Sequence, residues 1–495
     1  MFYRQNLPSN TKSLIRVPFS DFSKGINTKI NENLLPLNYA VNTYNFDFCS
    51  GALTDGLGFK ELELPIYDYT KKIITPDGVS KIIRCWPYIW FNKTIDDYTP
   101  LLIAYCDDKM LYYARVEGST THFTSLGVEF ENVPMCITYR VDEGDCFFAF
   151  SKDKIMKFDG ANVPTVYTED IPRITSIALH AGRLFATSAG DENILYFSDD
   201  LNPTNWNVSN FEGGYIEITG ERGRLKKLVE ANNSLYIIRE FGISKLSGWG
   251  MQSAMNVKNL YLTTGKIYYN SASLYGQTIL MLCSDGVYYM SAGDLHKINL
   301  GIDDMLKGVD NTNSYGAFFN GKYYLACRLN FDDGEIVGCE SGDYINNALL
   351  EIDMSNGELN IVRGVDIGFM YPFLFGEINK LIICFNNGET GKISELIHNG
   401  LNYGEPTKKV WQSPLTDLGY PNLKKVVKNL YINTKTDIEI VVVTEKGKEY
   451  VFYAKGMNEP QRVVLNVIAE KISITFRCEN NNCEISNPQV DIDLI

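Results

Sequence analysis

The stretch from Ile177 to Asp200, IALHAGRLFATSAGDENILYFSDD, and its continuation from Leu225 to Gly248, LKKLVEANNSLYIIREFGISKLSG, decide the fold class. Ile177-Ala178-Leu179 runs into a His180-Ala181-Gly182 turn, and Arg183-Leu184-Phe185-Ala186-Thr187 follows. A Gly190-Asp191-Glu192-Asn193 turn then leads into Ile194-Leu195-Tyr196-Phe197-Ser198. The same rhythm returns in Leu235-Tyr236-Ile237-Ile238 and Ile243-Ser244-Lys245-Leu246. Short apolar and aromatic runs closed by Gly, Asn or Asp, with no helical period between them, predict antiparallel strands. Their recurrence predicts one sheet motif used many times.

Working outward, strand clusters recur every 35 to 55 residues or so, the spacing of four-stranded propeller blades. They run from Lys81 to Val128, Pro134 to Tyr167, Ile174 to Ile218, Leu225 to Leu262, Ile267 to Ile298, Tyr315 to Val362 and Phe369 to Ile397. A polar turn and then a short aromatic strand returns within them, as in Asp107-Asp108-Lys109-Met110-Leu111-Tyr112-Tyr113 and Asn320-Gly321-Lys322-Tyr323-Tyr324-Leu325. These are hairpins whose turn residues tolerate left-handed backbone. The 31 Tyr, 26 Phe and 40 Gly of the 495 residues fit the same class, because aromatics suit pleated surfaces and Gly suits tight turns. The expected fold is all-β: a β-propeller of about seven blades with an N-terminal arm and a C-terminal β-sandwich.

Three regions are expected. Residues 1–60 read as an arm with the first strands, because MFYRQNLPSNTKSLIRVPF is polar, proline-marked and aperiodic. Ser50-Gly51 reads as a hairpin turn there. Residues 61–400 read as the propeller. Residues 405–495, after the polar boundary at His398 to Pro406, read as the sandwich, with alternating strands from Glu439 to Thr444, Tyr450 to Tyr453, Val463 to Val467, Ile472 to Arg477 and Gln489 to Leu494.

Composition narrows the chemistry. Forty-six basic against 60 acidic residues give a net charge of -14, which argues against a general affinity for nucleic acid or anionic membrane. No apolar run is long enough to span a bilayer, and no signal peptide is expected from the opening residues. The eleven Cys include no C-x-x-C pair. Cys106, Cys136, Cys283 and Cys384, in apolar strands, read as reduced core cysteines, while Cys478 and Cys483 flank an Asn-rich turn where a disulfide or a metal clip is the alternative. The four histidines, His122, His180, His296 and His398, form no metal-ligand spacing. Gly220-Glu221-Arg222-Gly223 reads as a turn between blades, since no helix follows to make it a phosphate loop. Asp199-Asp200, Asp303-Asp304 and Asp332-Asp333 lack the spaced ligands of a calcium loop and read as exposed turns. No catalytic, cofactor-binding or metal-binding residue is expected, and no cofactor.

The features N-G-R-L-F, N-x-L-Y-F-S-D and P-x-x-W, followed by N-S-L-Y-I-x-x-E-x-x-I-x-x-L-S-G, are matched here by Ala181 to Phe185, Asn193 and Leu195 to Asp199, Pro203 and Trp206, and Asn233 to Gly248. This pattern resembles the propeller region of tailed-bacteriophage tail nozzle proteins, also described as packaged-DNA stabilisation or tubular tail proteins. The opening from Phe22 to Leu53 is similar to the start of many phage tail and connector proteins, with Tyr39 where the family has an acidic residue. Trp411, Ser413, Asp417, Gly419, Pro421, Lys424 and Lys425 resemble a segment common near the C-terminus of phage tail proteins. The resemblance implies a non-enzymatic virion protein, made in the host bacterial cytoplasm and assembled in the tail as a homo-oligomeric ring. Such a ring extends the DNA channel, retains packaged DNA without binding it tightly, and docks other tail and connector proteins. Two alternatives remain. One is a neck, baseplate or receptor-binding module. The other is a propeller glycosidase, suggested by Ser198 to Trp206, which resembles a sialidase Asp box with Asn202 in place of its Gly and the Trp one residue late.

Overall fold

The computed structural model describes all residues except 1–13, 49–50, 67–68, 74, 117–119, 143, 209–212, 249, 332, 335–336, 338–343 and 387–391. The chain divides into two compact units: one of Phe59–Gly357 with Arg363–Leu396, the other of Met1–Gly58, Glu358–Val362 and Ile397–Ile495. Among the described residues the helical content is confined to single 3-10 turns such as Glu32–Leu34 and Asp303–Leu306, and no helix is long and apolar enough to cross a membrane.

The first unit holds the propeller, except that the strand residues Leu57–Gly58, Leu359–Val362 and Ile397–His398 cluster with the second unit. Blade one is the meander Ile82–Asn92, Asp97–Cys106, Met110–Arg115 and Thr124–Glu129. Blade two is Met135–Val141, Gly144–Phe150, Ile155–Phe158 and Thr165–Tyr167; blade three is Ile174–His180, Arg183–Ser188, Ile194–Phe197 and Gly214–Glu217. Blade four is Leu225–Ala231, Ser234–Arg239, Gly242–Ser247 and Asn256–Leu262; blade five is Ile267–Tyr275, Thr278–Cys283, Gly286–Ser291 and Asp294–Lys297. Blade six is Tyr315–Phe319, Lys322–Cys327, Ala348–Asp353 and Leu359–Arg363. These follow the clusters expected from the sequence.

Blade seven departs from them. Ile367–Phe375, Ile378–Phe385 and Ser394–His398 supply three strands, and the next strand in the sheet is Leu57–Glu61 from the other end of the chain. Leu62 N–H donates to Ile393 C=O at 2.8 Å just beyond it. An N-terminal strand in the last blade removes a free edge and ties the ends of the ring together by backbone hydrogen bonds.

Apolar layers hold each blade to the next. Phe148 of blade two packs with Leu184 of blade three, Phe185 of blade three with Leu228 and Leu235 of blade four, and Ile238 of blade four with Ile279 of blade five. Tyr323 of blade six donates to Ser271 C=O of blade five at 2.7 Å, and Phe369 of blade seven meets Trp86 of blade one with ring centroids 5.6 Å apart. The ring is therefore closed.

The second unit is the sandwich. One sheet is ordered Phe46–Asp47, Leu53–Asp55, Glu484–Leu494, Lys425–Thr434, Met457–Ala469, with Ile15–Pro18 also paired to Glu484–Leu494. The other is ordered Asn42–Tyr44, Lys409–Gln412, Ile472–Cys478, Ile438–Thr444, Glu449–Ala454. The core between them holds Trp411, Leu430, Ile440, Phe476, Ile485 and Val490, joined by Phe19 and Phe22. The sequence reading of an arm is corrected here from Ile15 onward: Ile15 pairs with Ile492 and Pro18 with Gln489, and Phe22 is fully buried. The sandwich is thus built from both ends of the chain. A four-residue strand ending in Pro is too short to show a period, and its partner is more than 470 residues away, so local pattern could not reveal it. The expected turn at Ser50 and most of the expected arm lie outside the described residues.

Candidate functional site: the inner strands of the propeller

In each blade the first strand is innermost, and its register with the second strand sets the level of each side chain. Arg84 pairs with Tyr105, Cys136 with Ala149, Lys227 with Ile238, Tyr315 with Ala326 and Phe369 with Cys384. Each of those partners is the penultimate residue of its second strand, so the five residues share one level near the start of the inner strands. The register slips just before three of them, between Ile82 and Arg84, Leu225 and Lys227, and Ile367 and Phe369. A bulge of this kind re-aims the side chain that follows it.

The level is aromatic and cationic. The Arg84 guanidinium lies 5.0 Å from the Phe369 ring centroid and 5.7 Å from that of Tyr315, and its Nη1 donates to Ile83 C=O at 3.0 Å. Burial pulls its pKa down, though a guanidinium stays charged. Burial likewise pushes the Tyr315 phenol up. Lys227 donates to Ala272 C=O at 2.8 Å, and desolvation alone lowers its pKa to about 8. Among the described residues neither cation has a carboxylate at ion-pair distance. Tyr371, one level in, is 40% exposed and yet has its pKa raised by burial, as expected of a side chain reached by water inside walls of protein. The arrangement can present positive charge and aromatic faces to the ring's interior; among the described residues it pairs no nucleophile with a base.

A cavity of about 810 Å³ lies elsewhere on the propeller, beside Lys307, Arg328, Phe331, Asn347 and Arg363. Its wall is amide-clamped. Asn311 accepts from Arg328 N–H at 2.6 Å and donates to its C=O at 3.1 Å, and Asn347 does the same for Leu329 at 2.8 and 2.9 Å. Arg363 is buried, ion-paired to Asp333 at 2.7 Å and stacked over Phe331 at 4.1 Å, so its charge is spent on holding the loop.

The residues singled out from the sequence are mostly scaffold. Ser198 accepts from Leu184 N–H at 3.0 Å, and Trp206 is buried with its indole donating to Pro203 C=O at 3.0 Å, so the segment resembling an Asp box is a packed turn. The loop at Gly220 to Gly223 encloses a residue that pattern reading missed. Arg239, fully buried, donates to Gly223 C=O at 2.8 Å, Thr219 C=O at 3.3 Å and Gly220 C=O at 3.4 Å, filling the loop from within. A lone Arg ending an apolar strand, LYIIR, was the available signal. The histidines are dispersed: His180 is buried with Nδ1 3.8 Å from Glu230, His296 stacks on Tyr289, and His122 and His398 are exposed. No group of three His, Cys, Asp or Glu among the described residues could hold a metal ion. Cys478 and Cys483 are buried free thiols in the sandwich. The hydrogen bond from Cys483, then those from Thr436 and the Asn480 backbone, with the nearby Lys409 ammonium, hold the Cys478 thiol below its usual range, and the Cys483 thiol is pushed up in return.

No protein-family model matches the sequence, and no curated protein sequence matches it. Among solved structures the chain is similar to BBS1N in its complex with ARL6DN. The mercury-soaked form has 9% identity and a TM-score of 0.39, covering 68% of this chain and 96% of that one; the lead-soaked form has 8% and 0.42, covering 65% and 95%. Raptor of Chaetomium thermophilum has 12% identity and a TM-score of 0.35 over 61% of this chain and 28% of its own. The class rests on the seven sheets themselves: this is a β-propeller protein carrying a β-sandwich.

Proposed function

We propose that the chain is a non-enzymatic structural protein of a bacteriophage tail, assembled as a nozzle ring that extends the DNA channel, retains packaged DNA and docks other tail parts. One observation carries the reading. Two of the three segments that resemble phage tail proteins, Phe22 to Leu53 and Trp411 to Lys425, lie almost 400 residues apart, and in the sandwich the Phe22 and Trp411 rings meet edge-to-face at 4.9 Å. The third segment, Ile177 to Gly248, covers most of blade three and the first three strands of blade four. Two of the resembling segments thus share one core, and the third lies in two adjacent blades, which supports the reading.

Charge supports a passive conduit. The sandwich unit holds 17 basic and 17 acidic residues; the propeller unit holds the remaining 29 basic and 43 acidic, and so the whole net charge of -14. A propeller of net negative charge lacks the general salt-sensitive attraction of nonspecific binders, with Arg84 and Lys227 as its inner cations. The test is to image the purified chain by electron microscopy and to assemble virions without it. Rings with an axial pore and particles that lose packaged DNA or stop short of a complete tail are expected. A monomer that binds host glycans, with mutant particles that keep and eject their genome, would move the protein to the outside of the tail.

A further inference from the structure

The propeller's two faces differ in a way that follows from its topology. In each four-stranded meander, the turns between strands one and two and between strands three and four lie at the same end. Hydrogen bonds and ring contacts join these turns around the ring. Tyr139 donates to Gly182 C=O at 2.8 Å, Asn232 to Gln277 C=O at 3.4 Å and Asn379 to Asn320 Oδ1 at 3.3 Å, and Tyr275 stacks on Phe318 at 4.3 Å. They form one face. On it, Ile95 of blade one, Val163 of blade two, Leu201 of blade three, Met251 of blade four and Leu374 of blade seven are 60 to 90% exposed. Phe241, Leu262 and Ile345, at the opposite end, are between 41 and 55% exposed.

The charge on this face is one-sided as well. Among the described residues of the propeller unit, these turns carry Asp96, Asp142, Asp159, Asp199, Asp200 and Glu377 against a single cation, Lys93. The turns of the other face mix signs within ion-pair distance, as in Lys154 with Asp153 at 3.2 Å and Arg224 with Glu192 at 2.7 Å. On the acidic face a cavity of about 360 Å³ opens among Pro87, Ile89, Tyr98, Tyr371 and Leu374, with the Asp145 carboxylate in its wall. The Asp145 carboxylate stands 4.0 Å from the 80%-exposed Arg140, and the Asp145 backbone C=O accepts from Tyr88 Oη at 2.7 Å.

We propose that this face is a docking surface for a partner protein, and that the docked segment is apolar with interspersed lysine or arginine. Five apolar tips, one on each of five blades, are more exposed than the apolar residues of the opposite face, and Leu374 borders the cavity. The carboxylates of these turns outnumber the cations beside them, Lys93 and Arg140, and so favour a cationic partner over nucleic acid or anionic lipid. The cavity takes an apolar side chain, and Asp145 takes the basic group beside it. The inference rests on the propeller alone and stands whatever particle the protein serves.

The test titrates the full chain with a fluorescent peptide of repeated Leu-Lys-Lys-Leu, beside a lysine homopolymer and a Leu-Glu-Glu-Leu peptide of equal length. The first should bind with a Kd in the micromolar range and the other two at least about tenfold more weakly. Leu201→Ser combined with Met251→Ser and Leu374→Ser should weaken binding by about tenfold or more, as should Asp145→Asn with Asp200→Asn, while Phe241→Ser with Leu262→Ser should leave it within about twofold. The substituted tips are exposed, so the melting temperatures of these variants should match the parent. Hydrogen exchange should slow in the turns of the acidic face on peptide binding. Equal weakening by variants on both faces, tighter binding of the lysine homopolymer, protection of the opposite turns, or no binding of the Leu-Lys peptide would each overturn the proposal, and binding of phosphatidylserine vesicles through this face would assign it to a membrane instead.

Discussion

Phe22 distinguishes an arm from a core. It is fully buried, with its ring 4.9 Å from Trp411 and 6.2 Å from Phe476, and its backbone sits at a φ of 51°. A bulky residue rarely adopts that conformation, so the packing of the ring holds the backbone there. Phe22→Ala removes the ring and keeps the left-handed strain; the expected cost is about 3–5 kcal/mol. For a unit of this size, where 1 kcal/mol shifts the midpoint by roughly 2–4 °C, that corresponds to a fall of about 6–20 °C. Phe22→Gly loses the same ring but adopts positive φ without strain, so Gly should equal or exceed Ala in stability, by up to about 1–2 kcal/mol, the reverse of their usual order. Scanning calorimetry of the three proteins, with near-ultraviolet circular dichroism to follow Trp411, provides the measurement. Midpoints within about 1 °C of the parent for both variants would show that Phe22 is outside the core, and the N-terminal segment would again be an arm.

In the propeller, Phe185→Ala should cost about 3–5 kcal/mol, because the side chain is buried with Phe197 at 5.9 Å; an unchanged melting temperature would refute the strand register. Arg239→Met should destabilise by about 3 kcal/mol or more, since three loop carbonyls lose their donor, and urea unfolding reads it. Lys227 has a folded pKa of about 8, below the ordinary lysine value of about 10.4, so the unfolded chain binds more protons between them and stability rises with pH across that window. Lys227→Met should abolish that rise, which denaturant melts at stepped pH would show; a slope unchanged by the substitution would mean that Lys227 stays fully charged in the folded state. Finally, the purified chain should show no measurable duplex binding at physiological salt, and tight, salt-dependent binding would count against a passive channel.

Much of the propeller was legible because its information is local. Each blade is a run of hairpins, and Asn320-Gly321 or Asp107-Asp108-Lys109 states its turn in the sequence itself, with positive φ at Lys109, Asn320 and Gly321 in the structure. What escaped were the long-range pairings. Leu57–Glu61 in the seventh blade and Ile15–Pro18 in the sandwich join strands from opposite ends of the chain, and nothing in a five-residue run names a partner hundreds of positions away. The interior charges were hidden for a related reason. Arg84 and Lys227 sit in strands that look like any others, IIRCW and LKKLV, and only the bulges before them turn both cations into desolvated neighbours of aromatic rings and carbonyls.

The asymmetry of the two faces lies between these cases. Once the meander is granted, the ordinal number of a turn decides its face: turns one and three go to one end, and turn two and the link to the next blade go to the other. Ile95, Val163, Leu201 and Met251 all fall in odd turns, and so do Asp142, Asp159, Asp199 and Asp200. Sorting loop residues by that parity separates turns whose charges are nearly all carboxylates from turns where carboxylates are mixed with lysines and arginines. Overall charge cannot do this, because a net -14 describes both ends of the ring at once, while the partner meets only one. The placement of charge by turn parity, more than its sum, is what should govern which molecules the propeller admits to its face.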